Sequence, residues 1–195
     1  MILSYILSFI CGIIIGSFLN AFICHLTWWE RILNGVLYLM INIVNAFNLD
    51  SVFCCILASS LLALSVIDFR TFQIPMGFHI FIGGLGSLRM ITDFENWTEY
   101  VMGFFAVSIV LEILFIVSKG KAIGGGDVKL MAACGLFIGY KLIWVAFFFG
   151  CILGLVIHSI RMKIKDADRV LAMGPYLSAG VLIAVLWGND FLSLI

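Results

Sequence analysis

The 195-residue chain is 64% hydrophobic and 11% charged, where an ordinary soluble domain carries about 25% charged residues, and its mean hydropathy is +1.20. This composition excludes a soluble globular protein and places the chain in a membrane, where a span takes roughly 20 apolar residues and this length holds about eight, leaving no space for a separate soluble domain. The formal net charge is zero, so the position of the basic residues carries the information rather than their sum.

Residues 2–26 form the first apolar run; no Lys or Arg precedes it and no small-residue cleavage site follows, so it reads as a retained span. Gly12 and Gly16 give it a GxxxG pattern suited to a close helix contact. Trp28 and Trp29, beside Glu30 and Arg31, suit the headgroup level. The second run, 32–48, is studded with Asn34, Asn42, Asn45 and Asn48, and the third covers 51–67. Pro75 fits the first turn of a fourth span, 74–91, where its missing donor does no harm. A fifth run, 98–118, contains Glu112, for which a hydrogen bond to a neighbouring helix is preferred over a proton-relay role. A short sixth run, 127–140, is followed by 142–160, which places His158 at the interface, and by 172–190. The six cysteines (Cys11, Cys24, Cys54, Cys55, Cys134, Cys151) lie in apolar runs without CxxC spacing, which argues against a zinc ribbon or a disulfide framework. His79 has no second His or carboxylate at ligand spacing, and no metal site is expected. Ser17 has no nucleophile elbow or partnered His and acid around it, so a serine triad is not supported.

With the amino terminus outside, Arg31, Arg70, Lys119, Lys121, Arg161, Lys163, Lys165 and Arg169 fall on the cytoplasmic side and only Arg89 and Lys141 on the other, a bias that selects this orientation. Both termini are then outside. Asp68 ends the third span and Asp127 begins the sixth, so both carboxylates reach the same cytoplasmic boundary. An acidic group at that depth is costly unless it faces protein or water, which makes it a candidate functional group. Two carboxyls that share one proton can activate a water for attack on a carbonyl while the protonated partner donates to the developing oxyanion. Gly124, Gly125 and Gly126 before Asp127 let backbone approach an extended substrate. The same spacing also suits an ordinary helix start at Asp127, and Asp68 can pair with Arg70.

Four motifs occur in order: GSFLNAFICHL at 16–26, LLALSVIDFRTFQIP at 61–75, GGGDVKLMAACGLFIGY at 124–140 and GPYLSAG at 174–180. Together they resemble the type IV prepilin peptidases, the GxGD membrane aspartic endopeptidases. The resemblance implies an all-α, polytopic membrane peptidase occupying residues 1–195 as a single domain, in the bacterial cytoplasmic membrane. It implies Asp68 and Asp127 as the catalytic dyad, Gly124 and Gly126 as the GxGD glycines with Gly125 between them, and Lys129 at the family's Lys position in a supporting role. The implied substrates are prepilins or pseudopilins, whose short basic leader is cut at the cytoplasmic face of the bilayer. No cofactor, metal or nucleic-acid partner is expected. Many members carry a CxxC zinc domain between the first two spans, a region associated with methylation of the product by S-adenosylmethionine. Here TWWER occupies that gap, which implies cleavage without methylation, and Met76 stands where relatives often place an acidic or amide residue. A competing class is a proton- or ion-coupled transporter with Asp68, Glu112 and Asp127 as a relay. A third is a silent membrane subunit that keeps the fold, against which the intact aspartates argue.

Overall fold

Lipid offers no hydrogen bonds to the backbone, so a spanning segment has to satisfy its own N–H and C=O groups, and the apolar runs of this chain do so as helices. The computed structural model describes residues 2–23, 28–120, 123–164 and 172–194. The helices are α1 (Ile2–Ile23), α2 (Trp28–Asn45), α3 (Leu49–Thr71), α4 (Met76–Thr92), α5 (Trp97–Ala106), α6 (Ser108–Val117), α7 (Gly125–Ile138), α8 (Tyr140–Ile164) and α9 (Gly174–Ser193), with a 3-10 turn at Phe94–Asn96. No strand occurs among the described residues. Each of the eight expected spans recurs as helix, the fifth as the pair α5 and α6. Leu49–Thr71, Phe94–Val117, Tyr140–Lys163 and Gly174–Ser193 are long and apolar enough to cross a membrane by themselves. The protein is a multi-pass helical membrane protein. Cys24 and the end of the first motif, and Lys121, Lys165 and Arg169 of the charge count, lie outside the described residues.

The chain divides into two compact units, Met1–Val66 and Ile67–Ile195. In the first, the GxxxG face of α1 meets α2: a Cβ on Gly12 would lie 2.8 Å from the Gly35 Cα, and one on Gly16 3.3 Å from the Arg31 Cα. Two asparagines of the second run, Asn34 and Asn42, are buried, whereas Asn45 is half-buried and Asn48 exposed. Asn34 Nδ2 donates to the Gly12 carbonyl at 2.8 Å, Ser59 Oγ donates to Asn34 Oδ1 at 3.0 Å, and Asn42 Nδ2 donates to Ser8 Oγ at 2.8 Å. Amides that would be costly against lipid here join helices.

In the second unit α7 packs against α4, α5, α6, α8 and α9. From Val128 onward nearly all of its residues are buried, Leu130, Met131, Cys134 and Phe137 completely. A helix that is apolar all round belongs inside. Surrounded by other helices, α7 can be short: its 14 residues span about 21 Å at 1.5 Å per residue. It ends at Gly139, whose φ of +82° is open to glycine and strained for other residues. At the same end Arg89 Nη1 donates to the Phe137 carbonyl at 3.1 Å, with its guanidinium 4.8 Å from the Phe137 ring centre. A cation there complements the helix C-terminus.

The expected continuous fifth span is interrupted at Val107. Ser108 Oγ bonds back to the Phe104 carbonyl four residues earlier, a pairing that bends helices. Just before the break, α5 touches α7 backbone to backbone. A Cβ on Gly135 would come within 2.1 Å of the Gly103 oxygen, so Gly135→Ala forces the two helices apart. Its expected cost is about 1–3 kcal/mol, read as a lowered thermal unfolding midpoint in detergent. Gly83→Ala is the control, since a Cβ at Gly83 meets nothing within 4 Å. Equal behaviour of the two variants would show that the close crossing does not limit stability.

Candidate active site

Asp68 stands in the last turn of α3, and the way that helix stops determines what surrounds it. Phe72 takes a left-handed φ of +53°, and its N–H donates to the Asp68 carbonyl at 2.8 Å, a helix-ending arrangement. Pro75 disfavours helix in the residue before it, which leaves residues 72–74 as a non-helical link to α4. Pro75 itself is the N-cap of α4, at φ −61° and ψ 135°, one position ahead of the expected first turn. The Asp68 side chain is 5% exposed. Its Oδ2 accepts the backbone N–H of Gly174 at 3.0 Å, across 106 residues of sequence.

Asp127 lies in the first turn of α7. Gly124 is the N-cap, with the N–H groups of Asp127 and Val128 directed to its carbonyl at 3.1 and 3.4 Å. The Asp127 carboxylate turns back over this residue: a Cβ on Gly124 would stand 3.1 Å from Asp127 Oδ2, and the Gly124 N–H faces the same carboxylate. The helix thus begins two residues ahead of Asp127, which is an acid of the first turn and not the cap. Gly126 lies against Ile74, whose Cβ would be 3.3 Å from a Cβ there. Its carbonyl is 2.9 Å from His79 Nε2.

Asp68 and Asp127 meet at one cavity of about 350 Å³, lined by both aspartates, by Phe72, Gln73 and Ile74, and by Gly124, Gly125 and Gly126. Both carboxylates are buried and close enough for their charges to act on one another. Two buried acids lining one cavity are chemically suited to proton transfer, one as base and one as acid. The rest of its lining comes from the three glycines of one segment and the non-helical link 72–74 of another. Among the described residues, no three His, Cys, Asp or Glu side chains gather closely enough to hold a metal ion.

The other sequence candidates fall elsewhere. Lys129 is exposed and is not among the cavity residues. Glu112 is exposed on α6; the exposed Ile109, Ile113 and Ile116 around it put it on an outward face, and it is not among the cavity residues. His158 is half-buried on α8. Two further residues, Gly174 and His79, contact the segments that carry the aspartates. Gly174 was legible as part of GPYLSAG but not as a donor to Asp68. The spacing of His79 along the chain speaks only to metal ligation and gives no sign of its contact with Gly126.

A sequence profile described as the type IV leader peptidase family matches residues 55–159, a stretch that contains both aspartates, the glycine loop and His79. Among curated proteins the chain is similar to a prepilin leader peptidase/N-methyltransferase of Bacillus subtilis (strain 168), 30% identical over 138 residues, 69% of this chain and 55% of the relative. It is 34% identical over 134 residues to one of Pectobacterium carotovorum subsp. carotovorum (64% and 47%). With one of Pseudomonas putida it shares 29% over 140 residues (67% and 48%). The chain spans about half the length of these relatives. No solved structure matches it.

Proposed function

The chain belongs to the type IV leader peptidase family, and from that premise we propose that it is a membrane aspartic endopeptidase that removes the short basic leader of prepilins or pseudopilins, with Asp68 and Asp127 as its catalytic dyad. The observation that carries this reading is the meeting of two buried carboxylates at a cavity walled by glycine backbone. In the proposed reaction the ionised carboxylate takes a proton from water as the water oxygen attacks the scissile carbonyl carbon. The protonated partner donates to the carbonyl oxygen as negative charge develops on it. Collapse of the tetrahedral intermediate breaks the C–N bond, and a proton passes to the leaving nitrogen. Gly124, Gly125 and Gly126 receive the substrate strand, and Lys129 supports the loop from outside the cavity.

The whole chain, residues 1–195, acts in this reading as one integral membrane peptidase domain in the bacterial cytoplasmic membrane. The dyad faces the cytoplasm. Supporting this, Arg70 and Lys119 lie at the dyad end of their helices, whereas Arg89 binds at the far end of α7 and Lys141 pairs with Glu99 at 3.3 Å beyond it; more basic residues belong on the cytoplasmic side. Methyl transfer is not part of the proposal, because α1 and α2 are joined by residues 24–27 alone and the paired CxxC motifs are absent from the sequence.

The test is mass spectrometry of a prepilin from the same organism after incubation with the purified protein in lipid. The expected product has lost the mass of its leader and gained no methyl group, even with S-adenosylmethionine present. A methylated product would overturn the second part of the proposal. Proton movement across vesicles without cleavage of any native prepilin would replace it with transport.

A further inference from the structure

We infer that His79 is a positioning residue for the dyad: it holds the first turn of α7, and with it Asp127, by donating from Nε2 to the carbonyl of Gly126. The inference rests on the peptidase reading for its catalytic consequence, but its geometry stands independently. His79 is 8% exposed in the first turn of α4, and its Nε2 is 2.9 Å from the Gly126 oxygen. The acceptor is a carbonyl, so Nε2 carries the proton.

The peptide held in this way joins Gly126 to Asp127, and its orientation sets the direction of the Asp127 side chain. Glycine at 124, 125 and 126 makes that setting necessary. Three residues without Cβ atoms leave a backbone with many accessible conformations, which suits close approach of a substrate and works against a fixed carboxylate. The first turn of a helix also lacks part of the hydrogen bonding that stiffens its interior. The constraint comes from the other aspartate's own chain segment: Ile74 packs on Gly126 and His79 binds its carbonyl, six and eleven positions after Asp68. Residues 68–79 thus act as a strut between the two acids, anchored at one end by Asp68 and at the other by His79. A backbone held only by packing could slide by the fraction of an ångström that matters in catalysis; a directional hydrogen bond prevents that.

The experiment compares wild type with His79→Leu, His79→Gln and His79→Asn on one prepilin, measuring kcat and KM separately, together with hydrogen–deuterium exchange over residues 123–130. Gln presents an amide N–H near the position of Nε2, whereas Asn is too short to reach Gly126. His79→Leu and His79→Asn are expected to lower kcat about 10- to 100-fold with KM nearly unchanged, and to speed exchange at the start of α7. His79→Gln is expected to restore most of kcat and the slow exchange. Should His79→Leu fail to fold, the Gln and Asn pair decides alone. Wild-type kcat in the Leu and Asn variants, or a Gln variant no better than Asn, would overturn the inference. If wild type itself cuts no prepilin, the peptidase reading fails, and exchange alone then decides whether His79 holds the loop: equal exchange in all four proteins rejects it.

Discussion

Asp127→Asn is expected to stop prepilin cleavage, lowering kcat at least about 10³-fold, which corresponds to roughly 4 kcal/mol of transition-state stabilisation, and Asp68→Asn is expected to do the same. Neither substitution should unfold the protein. An Asn at 68 keeps an oxygen that can accept the Gly174 N–H now given to Asp68 Oδ2, and one at 127 can still face Gly124. What each loses is the ability to exchange a proton at that oxygen. In the proposed mechanism the acids act as a unit, so the double variant should be little worse than either single one, the non-additivity expected when one partner is useless without the other. Gel-based cleavage at long incubation, with thermal unfolding as the folding control, checks all three variants. Full processing by either single variant would remove that residue from the dyad. A double variant worse than both singles by the product of their effects would mean that the carboxylates act separately.

The eight apolar runs were enough to locate the helices, because in lipid hydrophobic length and backbone satisfaction impose nearly the same boundaries. Asp68 and Asp127 stood out because acids are scarce among such runs, and the basic-residue bias brought them to one side. What the sequence did not reveal is how the pair is held. α7 carries no amphipathic stripe, so nothing in its own pattern announces that it is enclosed by five other helices; that follows from helix packing across the second unit. The break at Val107 depends on Ser108 turning its hydroxyl onto Phe104 instead of a neighbour, and a serine in an apolar run is compatible with either. His79 is the most instructive miss. A search for ligand spacing asks whether a histidine has companions along the chain, whereas the function inferred for this one needs a single carbonyl 47 residues away. Glu112 is the converse: an acid in a span is conspicuous in sequence, yet it lies on an outward face.

Gly174→Ala is the second substitution expected to have a large effect, and it tests the geometry of the dyad without altering either acid. Gly174 has no left-handed φ that demands glycine; the requirement is for space. A Cβ on this residue would lie 2.6 Å from Asp68 Oδ2 and 3.0 Å from its Cγ, inside van der Waals contact, while the N–H that Oδ2 accepts belongs to the same residue. The methyl therefore pushes the carboxylate away from the donor that orients it. A shift of α9 would disturb its close packing on α8, where a Cβ on Gly180 would already be 2.2 Å from the Ala146 oxygen. The Asp68 side chain is the softer element and should move instead. Displacing a reacting group by about 1 Å costs on the order of 100-fold in rate, so kcat is expected to fall by about that factor, with KM and the unfolding midpoint changed far less. The residue lies beyond the stretch matched by the family profile, residues 55–159, and opens the GPYLSAG motif. Wild-type kcat in Gly174→Ala would mean that Asp68 is not held by the start of α9 during turnover, and the orienting role of that N–H would have to be abandoned.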